Sequence, residues 1–267
     1  MHHVSSRPSK VFCYKGRISR PQESIEGEVC NLKDVFNQLD TSSLSEAVYS
    51  KITLALIEGR LQPDDKVRIR ALADQLGVSV TPVRDALLSL VKDGALEMRG
   101  PKDIRVPRMS VSQLQEIRLI RLRIEGLAAR LAADKVDRTN EILLTRILED
   151  NETARSSNVT SEAIRLNRLF HYKIAEIAGL PILLSMVENM WLRMGPIIAA
   201  VYMQGGRGMI QYHHDILDAL RRRDGEAAEW AIRQDINTTA DILLASNLLT
   251  DDGAAQSAVH SALAAPR

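Results

Sequence analysis

The chain has 267 residues, 35 Lys+Arg against 34 Asp+Glu, and a formal net charge of +1. That length can bury a full core in one or two domains, and the near-neutral balance supplies no global basic field, so any nucleic-acid contact must come from a local patch. Aromatic residues are only 4%, and Leu, Ile and Ala dominate the apolar fraction, which points to a mainly helical protein. No run of about 18 apolar residues is available to span a membrane, and Cys13 and Cys30 make neither a disulfide framework nor a CxxC zinc pair; a reduced, cytoplasmic protein without a secretory leader is expected.

Residues 1–40 contain Ser, Arg and Pro with no sustained period and read as a flexible N-terminal extension, with room for a short helix at 28–38. From Leu44 the pattern sharpens: Leu44, Val48, Ile52, Leu56 and Ile57 define a helix that ends at Gly59, followed by a turn at Pro63-Asp64-Asp65. Ile69, Leu72, Ala73 and Leu76 form one face of a second helix that stops at Gly77. A third opens with Ser79 as N-cap and Pro82 in its first turn, and places Val83, Ala86, Leu87 and Leu90 on one face. Two short helices about a glycine turn make a helix-turn-helix, whose second helix can enter a DNA major groove.

Two short strands, Ala95–Arg99 and Ile104–Arg108, flank Gly100-Pro101-Lys102-Asp103 as a hairpin. Three helices plus that hairpin predict a winged helix-turn-helix over 41–108. Arg99, Lys102 and Arg105 are expected to give the wing phosphate-seeking charge. Residues 44–108 hold eleven Lys/Arg against nine Asp/Glu, a balance that decides nothing.

Beyond Pro107 the pattern is helical throughout, predicting an all-α bundle of about six helices over 109–249. Ser112-x-x-Gln115 reads as a capping box that opens a long helix to about 135. Further helices are expected at 138–155, 160–178, 182–203, 208–223 and 225–246, broken at Gly179-Leu180-Pro181, Gly205-Gly206 and Asp224-Gly225. Residues 250–267 read as a disordered C-terminal tail.

The segment LSEAVYSKITLALIEGRLQPDDKVRIRALADQLGVSVTPVRDALLSLVKDGALEMRGPKDIRVP, residues 44–107, resembles the DNA-binding domain of the GntR transcription regulators. The helical remainder resembles the FCD domain of their FadR subgroup. The resemblance implies a homodimeric, effector-responsive regulator that binds a palindromic operator in double-stranded DNA. It places DNA contacts on Arg70, Ser79, Val80, Thr81, Arg84 and the wing tip at Gly100. The family usually carries arginine where this chain has Val80. Losing that side chain removes a base or phosphate contact worth roughly 1–3 kcal/mol of discrimination if it reaches a base, while valine can touch a thymine methyl.

A pocket is legible in the helical part. Asn167 and His171 stand four apart on one helix and share a face. His213 lies eleven positions before Asp224 and Asp235 eleven after it, so antiparallel arms put both about 16 Å from the turn, at 1.5 Å per residue. Four donors thus converge from three helices, as in other bundle sites. The FCD family typically has Asp and three His at these positions, so Asn167 and Asp235 are departures. Two imidazoles, a carboxylate and an amide oxygen can hold a divalent ion such as zinc, nickel or manganese; the alternative is a metal-free polar pocket. Arg121 is a further effector candidate, since a guanidinium grips a carboxylate bidentately, unless it forms a surface pair with Glu125. Trp191, Arg193 and Tyr202 are candidates for the same cavity or for a dimer contact, and His214 is expected at the surface.

The leading expectation is a one-component regulator, a repressor, switched by a small carboxylate metabolite. An all-helical metal-dependent hydrolase using His171, His213 and Asp235 is the alternative, but the chain has no clear base–nucleophile pair, phosphate loop or HExxH helix. A protein-interaction module with a vestigial DNA domain is the third reading.

Overall fold

The computed structural model describes residues 11–12, 29–30, 42–202, 208 and 210–251. In the N-terminal unit, β1 (Val11–Phe12) pairs antiparallel with β2 (Val29–Cys30). Residues 29–30 are therefore strand where the sequence left room for helix. The rest of the predicted extension, like tail residues 252–267, lies outside the described residues.

The second unit begins with α1 (Ser42–Ile57), α2 (Ile69–Leu76) and α3 (Val80–Lys92). Val48, Ile52, Leu56, Ala73, Val83, Leu87 and Leu90 from these helices form one buried cluster, which is the periodicity read from the sequence. Gly77 adopts φ 66° and its N–H bonds back to the Ala73 and Asp74 carbonyls, a left-handed stop that only glycine adopts without strain. Ser79 is the residue before α3, but its side chain makes no capping bond. The third helical position, whose N–H such a hydroxyl commonly takes, is Pro82 and has none.

The wing is three-stranded rather than a lone hairpin. Its order is β3 (Lys66–Val67), β5 (Asp103–Arg105), β4 (Glu97–Gly100), all antiparallel, with an irregularity between Met98 and Gly100. Both predicted wing strands are trimmed. Ala95 and Leu96 stay bonded to the Leu90 carbonyl at the end of α3, while Val106 turns to pair with Asp64 and Asp65.

Among the described residues six helices follow: α4 (Val111–Lys135), α5 (Arg138–Ser156), α6 (Thr160–Ile177), α7 (Pro181–Val201), α8 (His213–Arg221) and α9 (Gly225–Ala245). The capping box of α4 is Ser110 with Gln113, not Ser112 with Gln115: Ser110 Oγ accepts from Gln113 N at 3.2 Å, and Gln113 Oε1 from Ser110 N at 3.0 Å. Thr250, at the start of the predicted tail, forms a parallel bridge with Ser110 and takes the Val111 N–H at 3.1 Å. Helix α4 is central; it packs along α9 and also touches α6, α7 and α8.

Helix α7 belongs to both cores. Trp191, Met194 and Ile198 are buried in the helical bundle, whereas Leu192 is buried among the winged-helix residues. Gly195 lies so close to α1 that a Cβ there would stand 2.8 Å from Ile57 Cα, and Gly59, with φ 69°, abuts Ala199. Two missing side chains thus let α1 and α7 meet backbone to backbone.

Candidate functional site

The four side chains predicted to converge in the helical part are buried. Asn167 and His171 on α6, His213 at the start of α8 and Asp235 on α9 are each no more than 4% exposed. Equal hairpin arms do bring His213 and Asp235 level: His213 Nε2 lies 3.4 Å from Asp235 Oδ1, and His171 Nε2 lies 3.3 Å from Asp235 Oδ2. One ligand-type atom from each of these three residues falls within 4.8 Å of the others. Asn167 Oδ1, His213 Nε2 and Asp235 Oδ1 are all buried without a hydrogen-bond partner. Buried polar atoms are rarely left so, and the N/O donor set suits zinc, nickel or manganese. The residues present therefore fit a divalent ion.

Glu125 and Arg121, both on α4, complete the cluster. The expectation of a surface pair is corrected: Arg121 is 2% and Glu125 1% exposed. Arg121 Nε donates to Glu125 Oε1, and Glu125 Oε2 lies 2.8 Å from His171 Nδ1. Burial alone would raise the Glu125 carboxyl, but the Arg121 guanidinium and the His171 ring outweigh it and hold it at about 2. Burial lowers His171, yet Asp235 and Glu125 on either side bring it up to about 9. Burial drives His213 down to about 4, against the pull of Asp235 and with that of His171. With Nδ1–H given to Glu125, His171 turns Nε2 toward Asp235, the arrangement by which outer carboxylates orient ligating imidazoles.

Aromatic rings wall the cluster. Phe170 stacks on His213 at 4.6 Å, Trp191 tilts against His171 at 5.0 Å, and the Arg121 guanidinium lies 4.6 Å above the Trp191 ring. Of the three accessory candidates only Trp191 joins the site. The Tyr202 hydroxyl is bonded to buried Asn151, and the Arg193 guanidinium lies over the position a Gly94 Cβ would fill. His214 is at the surface, paired with Glu152 at 2.9 Å.

The second surface of interest is the winged helix. Arg70, Ser79, Thr81 and Arg84 are exposed, and Val80 is half-buried against the winged core. Neither Arg70 nor Arg84 has an ion pair among the described residues. The wing differs from expectation. Arg99 is tied to Glu97 at 2.6 Å and to Asp64 at 2.8 Å; Arg105 is tied to Asp103 at 3.1 Å and to the Asp64 carbonyl at 2.9 Å. Asp64 sits in a left-handed turn at φ 76° that delivers its carboxylate to both. Lys102, beside half-buried Gly100, is the wing cation without an ion pair among the described residues.

Comparison with known proteins decides the family. Residues 44–106 match the bacterial regulatory proteins of the gntR family, and residues 116–238 match the FCD domain. The chain is 33% identical to the HTH-type transcriptional regulator McbR of Escherichia coli K12 over 205 residues, covering 75% of this chain and 93% of that one. The chain belongs to the GntR family. As a GntR-family transcription regulator with an FCD domain, it overlays the solved structure of E. coli McbR/YncC with a TM-score of 0.71 at 32% identity, covering 76% and 98% of the two chains. A Rhodococcus GntR structure shares the fold at TM-score 0.67 and 17% identity, covering 77% and 100%. The HTH-type transcriptional repressor RspR of E. coli K12 is 22% identical over 75% of this chain and 89% of its own.

Within this GntR-family chain, sequence reasoning named His171, His213 and Asp235, which converge, Asn167, which is buried one turn before His171 on α6, and Arg121. It missed Glu125 as the partner of His171 and Phe170 as the plate beneath His213. For Glu125 the available signal was the run of small residues Gly126, Ala128, Ala129, Ala132 and Ala133; small side chains let a partner helix come close, so this stretch of α4 is buried.

Proposed function

We propose that this GntR-family regulator is a cytoplasmic, homodimeric repressor that binds a palindromic operator and releases it when a small carboxylate binds the helical domain. Residues 41–108 read the DNA through Arg70, Ser79, Val80, Thr81, Arg84 and the wing turn at Gly100. Residues 109–249 bind the effector and dimerise. His171, His213 and Asp235 hold a divalent ion (zinc, nickel or manganese), with the Asn167 amide oxygen beside them. A bound ion would supply a Lewis-acid centre for the carboxylate, with His171 of α6, His213 of α8 and Asp235 of α9 as its protein donors.

The observation that carries this reading is the buried convergence of those three residues with their unsatisfied atoms. Its route to the DNA is supported by α7, which meets the cluster through Trp191 and the winged core through Leu192. RspR and GlaR of E. coli K12 are both named transcriptional repressors, which supports the sign. An effector acts only through its differential affinity for two arrangements, and a tenfold change in operator affinity requires about 1.4 kcal/mol of coupling.

The test is retardation of the fragment upstream of its own coding region by chelated protein, zinc-loaded protein, and zinc-loaded protein with acetate. Retardation that falls steeply with salt and weakens about tenfold with zinc and acetate is expected. Absent retardation in dilute buffer, or identical retardation in all three states, overturns the proposal.

A further inference from the structure

We infer that the indole N–H of Trp191, rather than the guanidinium of Arg121, is the hydrogen-bond donor that recognises the carboxylate of the effector. The inference rests on the reading of the buried cluster as a site for a divalent ion and an organic acid.

Arg121 is committed. Its Nε donates to Glu125, its NH1 faces Met194 Sδ at 3.5 Å, and its guanidinium carbon lies 4.6 Å from the centre of the Trp191 ring. The negative charge an incoming acid would bring to Arg121 is already supplied within the chain by Glu125. Trp191 is the opposite case. It is 3% exposed, its ring lies 5.0 Å from that of His171, and its Nε1 is buried with no hydrogen-bond partner. An indole nitrogen can only donate, so an acceptor is what satisfies it. The unsatisfied atoms of the cluster on His213 and Asp235 can both ligate a metal. Trp191 Nε1 cannot.

Charge points to the same acceptor. Arg121 and Glu125 cancel, ligating imidazoles are neutral, and Asp235 offsets half of a divalent ion. One positive charge is left in a dry site, and a single carboxylate neutralises it. One of its oxygens can then meet the ion while the other takes the indole N–H. The site thus selects monocarboxylate groups presented beside Trp191 and is indifferent to the chemistry by which Arg121 would have gripped an acid.

Two variants of the full chain test this. Trp191→Phe keeps an aromatic face toward Arg121 and His171 and removes the N–H together with the pyrrole part of the indole. By calorimetry it should take up zinc as the wild type does, while the zinc-loaded protein binds acetate about tenfold more weakly, the loss expected for a hydrogen bond to a charged group. Trp230 is 57% exposed and packs edge-on to Tyr212, so Trp230→Phe leaves Trp191 as the single indole. Its N–H proton resonance should move downfield when acetate is added to zinc-loaded protein and stay still with zinc alone. Equal acetate binding by Trp191→Phe and wild type, or an indole resonance unmoved by an acid that binds, overturns the inference and leaves the underlying site intact. If zinc-loaded wild type binds no acid at all, the reading of the site falls and this inference with it.

Discussion

Glu125→Gln is the most informative single substitution in the helical domain. The change is nearly isosteric; it removes the charge and turns one of the two acceptor oxygens, which face Arg121 and His171, into a donor, leaving Arg121 buried and without its anion. Breaking a buried ion pair by neutralising one partner costs about 3–5 kcal/mol. The proton equilibrium gives an independent figure. A carboxyl displaced from 4.5 to about 2 in the folded state corresponds to roughly 3 kcal/mol, at about 1.4 kcal/mol for each pH unit. Because the folded value is the depressed one, this contribution is fully present above about pH 4.5 and is lost as pH falls toward 2. Chemical denaturation of chelated protein near pH 7 should therefore show Glu125→Gln weaker by about 3 kcal/mol, or about 6–12 °C lower in Tm for a chain of this size. The gap between variant and wild type should close as the medium is acidified below pH 4.5. Arg138→Ala, which breaks an exposed pair with Glu141, should have no measurable effect. A Glu125→Gln protein within 1 kcal/mol of wild type would refute the argument, since it would mean that Arg121 finds solvent on losing its partner.

Gly59→Ala should lose at least about 2 kcal/mol in the same denaturation assay, from left-handed strain together with a clash against Ala199; an unchanged midpoint would show that α1 and α7 do not meet as described. Arg84→Ala should weaken operator binding by roughly 1–3 kcal/mol in fluorescence anisotropy, with helicity by circular dichroism unaltered, and a footprint equal to wild type would remove Arg84 from the interface. Asp64→Asn, which the left-handed turn accommodates, should remove one negative charge from beside Arg99 and Arg105, which keep their pairs with Glu97 and Asp103. Operator binding should then gain affinity at low salt and fall more steeply with added salt, whereas an unaltered salt slope would mean the wing cations never face phosphate.

The helices were legible because their signals are local. Asp137 and Asp224 cap α5 and α9 through Asn140 N and Ala227 N, and Gly77 stops α2 where a left-handed residue is needed. The start of α4 was ambiguous for a specific reason. Ser110-x-x-Gln113 and Ser112-x-x-Gln115 are overlapping copies of one pattern, and the choice between them coincides with a long-range bridge to Thr250. Strand β3 is two residues beside a Pro-Asp-Asp turn, too short to show a period. The wing arginines expose a different limit. Counting charges gave a basic tip, but which cations remain unpaired is set by the backbone of Asp64, forty-one positions from Arg105. Arg121 and Glu125 illustrate the same limit inside the bundle, since an i,i+4 pair reads identically whether it faces water or a buried histidine.

Trp191 and Leu192 are consecutive residues on adjacent faces of α7, one buried beside the metal-competent cluster and the other in the DNA module. Each residue advances a helix by about 100°, so inserting or deleting a single residue in α7 would swing both faces off their targets at once. The length of that helix is fixed by two sets of neighbours. Grafting a new reading head onto this effector domain accordingly means carrying over the α1 surface around Ile57 and Gly59 as well as the recognition helix.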